Sequence, residues 1–152
     1  MIFYHFTCVE YLDSICREGL TRGDVPLTRW TSANAVWLTT DRNPAGHGVT
    51  TGGLLTEFDR AYMTKLTGVE PPHGARFPNK QAVRIAVKIP LSDTSIKAWL
   101  PWARRRIAAD WLDDLHRVAG RYRTWYLCFR PISPIEFLRI DHLAVAEERL
   151  AA

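Results

Sequence analysis

Near the start of the chain, His5, Thr7 and Cys8 place an imidazole, a hydroxyl and a thiol within four residues. Arg84, Asp93 and Glu136 are the charged side chains further on whose neighbourhoods suit a site. A Cys8–His5 nucleophile pair is conceivable, but neighbours at a strand-to-helix corner need not face each other, and lone cysteines are mostly packing residues. No G-x-G-x-x-G follows a strand, and there is no G-x-x-x-x-G-K-[ST] or G-x-S-x-G, so dinucleotide-fold, P-loop and hydrolase readings lose their main support. Three cysteines, Cys8, Cys16 and Cys128, cannot all pair, and no Cys/His spacing suits zinc, so neither a disulfide framework nor a metal is expected.

Charge points towards anionic partners. Twenty Lys plus Arg against sixteen Asp plus Glu give +4, and most of the cations are arginines, suited to bidentate contact with phosphate or carboxylate. Arg104-Arg105-Arg106, Arg117, Arg121 and Arg123 are interleaved with Trp102, Trp111, Tyr122 and Trp125, which would suit a nucleic-acid backbone, or equally a solvated helix face. Six tryptophans serve a small core or ring stacking. No apolar run approaches a bilayer-spanning length and no basic n-region follows Met1, so a cytoplasmic protein without a membrane partner is expected.

These residues need elements to position them. Ile2 to Phe6 reads as a strand. Thr7 and Glu10 form a T-x-x-E capping box ahead of a helix carrying Val9, Leu12, Ile15 and Cys16, which stops at Gly19. Thr21 to Ala35 reads as a polar loop delivering a short strand with Val36, Trp37 and Leu38. Residues 41–78 are rich in Gly and Pro, with a weakly helical patch around Leu54 to Leu66, and read as a candidate lid. Val83 to Ile89 alternates as a half-buried strand ended by Pro90. Ser95 to Ala119 reads as one or two amphipathic helices, Trp125 to Phe129 and Phe137 to Ile140 as strands, and His142 to Leu150 as a helical tail. The whole of 1–152 is expected to be one α+β domain with an antiparallel or mixed sheet.

Tyr4-His5-Phe6-Thr7, the helix closing in Ile15-Cys16-Arg17-Glu18-Gly19-Leu20, and Val36-Trp37-Leu38-Thr39 occur in the order and spacing of the front half of the ADP-ribosyltransferase superfamily, which the first quarter of the chain resembles. The resemblance implies split sheets flanked by helices, with NAD as substrate. It assigns His5 to the adenosine-side ribose, Thr7 to the dinucleotide, Trp37 to the nicotinamide and Thr39 to the same pocket. Taken from the residues alone, His5 is equally a structural histidine, Thr7 an N-cap and Trp37 core.

Transfer also requires a carboxylate near the nicotinamide ribose. No E-x-E or Q-x-E precedes a late strand, so the candidates are Glu136, which also completes an S-x-x-E capping box with Ser133, and Asp93, which also suits a turn. Arg84 is the candidate for phosphate. The expected function is NAD-dependent transfer of ADP-ribose to a protein or nucleic-acid acceptor, or to water. The alternatives are an RNA 2′-phosphotransferase-like enzyme, or a non-catalytic nucleic-acid or protein-binding module.

Overall fold

The computed structural model describes residues 1–28 and 30–143. In chain order these form β1 (Ile2–Thr7), α1 (Leu12–Glu18), β2 (Asp24–Pro26), β3 (Ser32–Asn34), β4 (Val36–Thr39), α2 (Glu57–Thr67), β5 (Val83–Lys88), β6 (Ile96–Ala98), α3 (Trp99–Arg106), α4 (Ala109–Val118), β7 (Trp125–Cys128) and β8 (Phe137–His142). Six strands make one sheet in the order β6-β7-β4-β1-β5-β8, and β2 pairs with β3 in a separate hairpin. Every strand pairing is antiparallel, which gives the α+β fold expected from the sequence.

Register sorts the side chains onto two faces, since residues paired across strands point the same way. Phe3 opposes Val87 and His5 opposes Ile85, while Val36 opposes Cys128. Phe3, Val36, Leu38, Val83, Ile85, Val87 and Cys128 form one core, against which Leu12 and Ile15 of α1 pack. Trp125 and Leu127 belong to a second core with Trp99 and Ala103 of α3 and Leu112 of α4, and Trp37 packs against it. One helix covers one face and two cover the other. The tryptophan load is therefore spent chiefly on the second core: Trp99 is fully buried and its ring lies 4.8 Å from Trp37 and 5.8 Å from Trp125, centroid to centroid.

The pairing that matters for function is the weakest one. β1 pairs with β5 over its whole length, from Ile2↔Lys88 to Thr7↔Val83, but meets β4 only at Tyr4↔Thr39. Beyond Tyr4 the two strands part, and the sheet is split on that side of β1.

Three local expectations are corrected. The Thr7–Glu10 capping box does not form: Thr7 stays in β1 opposite Val83, and a 3₁₀ turn over Val9–Tyr11 begins after Cys8 with no side-chain cap. Thr21 to Ala35 is not all loop, because Asp24–Pro26 and Ser32–Asn34 pair as a hairpin. Residues 41–78 are more ordered than their composition suggests: α2 carries a Thr56/Asp59 capping box and a left-handed Gly68 stop, and single bridges Thr51↔Asn79 and Leu54↔Arg76 tie the segment to itself. Most of the helical tail read over His142 to Leu150 lies outside the described residues, and β8 runs through His142 itself.

Candidate functional site

Where β1 and β4 part, a cleft of about 970 Å³ opens, within the size of small-molecule sites. Tyr4 to Thr7 of β1, Trp37 to Thr39 of β4, the segment from Glu18 to Asp24 and the loop from His47 to Thr50 line it, together with Lys80 and Trp125. His5, Thr7, Trp37 and Thr39, the four residues named by one pattern in the sequence, are thus brought together on its wall.

Each contributes differently. The His5 Nδ1–H donates to the Trp37 carbonyl oxygen at 2.9 Å across the split. That bond fixes the tautomer and leaves Nε2 as an acceptor. Burial, assisted by the charge of Lys80, lowers the His5 pKa from its ordinary value, so the ring is neutral near pH 7. The Trp37 indole N–H donates to the Asp24 carbonyl at 3.0 Å, which anchors the ring as a wall. The Thr39 hydroxyl is committed to the protein: it accepts from the Asp41 amide at 3.0 Å and donates to the Thr124 hydroxyl at 2.7 Å, which in turn donates to the Arg121 carbonyl. Thr39 therefore shapes the pocket rather than donating into it.

His47 was given no role from sequence, yet it lies in the wall. The Trp125 indole donates to His47 Nδ1 at 2.7 Å, and His47 stacks on Phe6. Its Nε2 is the one buried side-chain nitrogen or oxygen without a hydrogen-bond partner among the described residues, with the nearest Asp41 oxygen 3.9 Å away. Burial pulls the His47 pKa down more strongly than Asp41 raises it. Burial would raise Asp41, but the Asn43 amide and the Arg121 guanidinium outweigh it and hold the carboxyl below its ordinary value. The legible signal was Gly46-His47-Gly48: both glycines have positive φ, +81° and +74°, a turn few other residues would make.

The remaining predicted residues lie elsewhere. Glu136 and Asp93 do not line the cleft; both hold Arg130, which donates to Glu136 at 2.7 and 3.0 Å and to Asp93 at 2.9 Å. The Ser133–Glu136 capping box read from sequence is present. Arg130 depresses the Glu136 carboxyl, and the Ser95 amide with Arg130 depresses Asp93. Arg84 is also outside the cleft wall: it pairs with Asp141 at 2.9 Å, donates to the Arg42 carbonyl and lies over the Tyr4 ring.

The carboxylates that do line the cleft are Glu18 and Asp24, and the cations are Arg22 and Lys80, neither of which forms an ion pair among the described residues. A hydroxyl-accepting imidazole, an aromatic wall, two cations and two carboxylates form a set that can take a phosphorylated sugar carrying a ring. Among the described residues no three His, Cys, Asp or Glu side chains are grouped to hold a metal ion, and no helix is long and apolar enough to cross a membrane. Comparison with protein-family models, curated proteins and solved structures gives no match.

Proposed function

We propose that the cleft binds NAD and that the protein transfers ADP-ribose from it to an acceptor, releasing nicotinamide. The observation that carries this reading is His5: its Nδ1 is committed to the Trp37 carbonyl, which leaves Nε2 as an acceptor on a residue that lines the same cleft as Trp37. The resemblance of the first forty residues to ADP-ribosyltransferases supports it independently. Lys80, which lines the cleft and forms no ion pair among the described residues, would meet the diphosphate.

In the reaction the bond between the nicotinamide nitrogen and the ribose C1′ breaks, nicotinamide leaves with the electron pair, and positive charge develops on the sugar. The acceptor then bonds C1′ and loses its proton. A carboxylate beside the developing charge is worth several kcal/mol when it is preorganised, about 3–4 for a single well-placed group. Asp24 is the candidate for this role, because it lines the cleft and its backbone carbonyl accepts from the Trp37 indole, which places the residue next to the aromatic wall. Glu136 and Asp93 are set aside as the acid because neither lines the cleft and both are committed to Arg130.

The test is incubation with NAD labelled on the adenine side, scoring released nicotinamide and label transferred to lysate. His5→Ala should abolish the NAD-induced rise in melting temperature and also lower the unliganded melting temperature, because the Trp37 carbonyl loses its donor, and Asp24→Asn should cut nicotinamide release about a hundredfold with NAD binding retained. No release and no thermal shift from NAD in the unmodified protein would end this reading.

A further inference from the structure

The hairpin beside the cleft ends in a tryptophan that nothing in the fold uses. Trp30 is 87% exposed, although a side chain of this kind ordinarily buries 150–250 Å², roughly. The described residues around it are hydrogen-bonded to one another. The Leu27 and Thr28 amides donate to the Thr31 carbonyl at 2.9 and 3.1 Å, and the Trp30 and Thr31 amides donate to the Thr28 hydroxyl at 3.1 and 3.0 Å. The base is fixed as firmly: Ala35 donates to the Gly23 carbonyl, Gly23 donates to the Asn34 side chain, and the Asp24 carbonyl holds Trp37. Trp30 is thus displayed on a preorganised support whose foot is the cleft wall.

A shallow groove of about 420 Å³ is lined by Arg22, Gly23, Asp24, Ser32, Ala33 and Asn34. It shares Arg22 to Asp24 with the cleft, and Ser32, at its other end, is two residues from Trp30 in the chain. Its side chains offer one cation without an ion-pair partner among the described residues, an amide and a hydroxyl. Asp24, the one carboxylate in the groove, sits at the cleft end.

We propose that the hairpin and groove bind single-stranded nucleic acid, with Trp30 stacking on a base, Arg22 on a backbone phosphate, and the strand led towards the cleft as the acceptor. The last step rests on the ADP-ribosyl transfer proposed above; the binding does not. Stacking on an exposed indole takes any base whose face is free, which a duplex does not offer. A protein partner fits less well. Tryptophan hot spots sit within a ring of contacts that excludes water, whereas the described residues flanking Trp30 in the chain, Thr28, Thr31 and Ser32, are small, polar and exposed. The chain's net charge of +4 favours a polyanion.

The experiment is fluorescence anisotropy of fluorescein-labelled single-stranded DNA and RNA, about ten nucleotides long, and of the matching duplex, across a range of salt. Single strands should bind more tightly than duplex. Trp30→Ala should weaken binding about tenfold, Trp30→Phe should keep most of it, and Arg22→Gln should weaken it and flatten the salt dependence. Trp30 is solvent-exposed, so these variants should keep their fold and melting temperature. Undiminished binding in Trp30→Ala, equal affinity for duplex, or absence of single-strand binding would each overturn the proposal, and label transfer confined to protein would overturn its acceptor step. Failure of NAD binding with strand binding intact would instead remove only the enzymatic reading.

Discussion

Glu136 and Asp24 separate two jobs a carboxylate can do. Glu136 closes a capping box and shares Arg130 with Asp93, so its charge is already answered. Glu136→Gln should cost about 1 kcal/mol of stability, because one part-exposed charged hydrogen-bond set is weakened. It should leave nicotinamide release near the unmodified rate; equilibrium urea unfolding beside the release assay checks both, and a collapse of release with stability unchanged would return Glu136 to the chemistry. At this scale, the sequence revealed residues tied by a pattern: His5 and Trp37 meet as expected. It did not reveal which hydroxyls are already occupied, as Thr39's is by Asp41 and Thr124. Nor did it separate structural from cleft carboxylates, because that depends on Arg130, which sits 37 residues from Asp93 in sequence.

Among the elements, alternation and stop signals carried most of the information. The β1 and β5 patterns gave strands ending within one residue of those observed, and the Gly19 stop of α1 is real, with φ +85°. The β2–β3 hairpin is not legible in the sequence because its strands are three residues each, too short for an alternation to be read. Their position is set instead by tertiary contact at Gly23. A Cβ there would lie 1.9 Å from the Ala35 carbonyl oxygen, closing the gap in which Ala35 donates back to Gly23. Gly23→Ala should therefore push the hairpin away from β4, costing about 1–3 kcal/mol by overpacking. It should also loosen the Asp24 hold on Trp37. The measurable pair is a lower urea midpoint together with a change in tryptophan emission; an unmoved midpoint would mean that the hairpin is not seated as described.

Over the whole molecule, three histidines share one electrostatic condition. His47 and His116 each accept an indole N–H, from Trp125 at 2.7 Å and from Trp99 at 2.9 Å, and His5 is held neutral in the split. Burial is the largest influence on each and lowers all three from the ordinary value of 6.5. Protonating His47 or His116 would set an N–H against the indole N–H it now accepts. Below pH 6.5 the unfolded chain therefore binds protons that the folded chain refuses. Stability is full above that pH and is lost as pH falls from it through the lowered folded values. The depressed carboxyls of Asp41, Asp93, Glu136 and Asp141 act in the same direction but lower down, losing their contribution below their ordinary range, about pH 4. Acid destabilisation should thus open with a first stage that begins below about pH 6.5, before the carboxylates start to titrate. Urea midpoints taken at half-unit steps from pH 8 down to 4 read this directly. His116→Gln, whose amide oxygen can still accept the Trp99 N–H but cannot titrate, should shrink the first stage while preserving stability at pH 8. A midpoint flat from pH 8 to 5 would show that burial and the indole–imidazole pairs do not hold these rings neutral below their ordinary range.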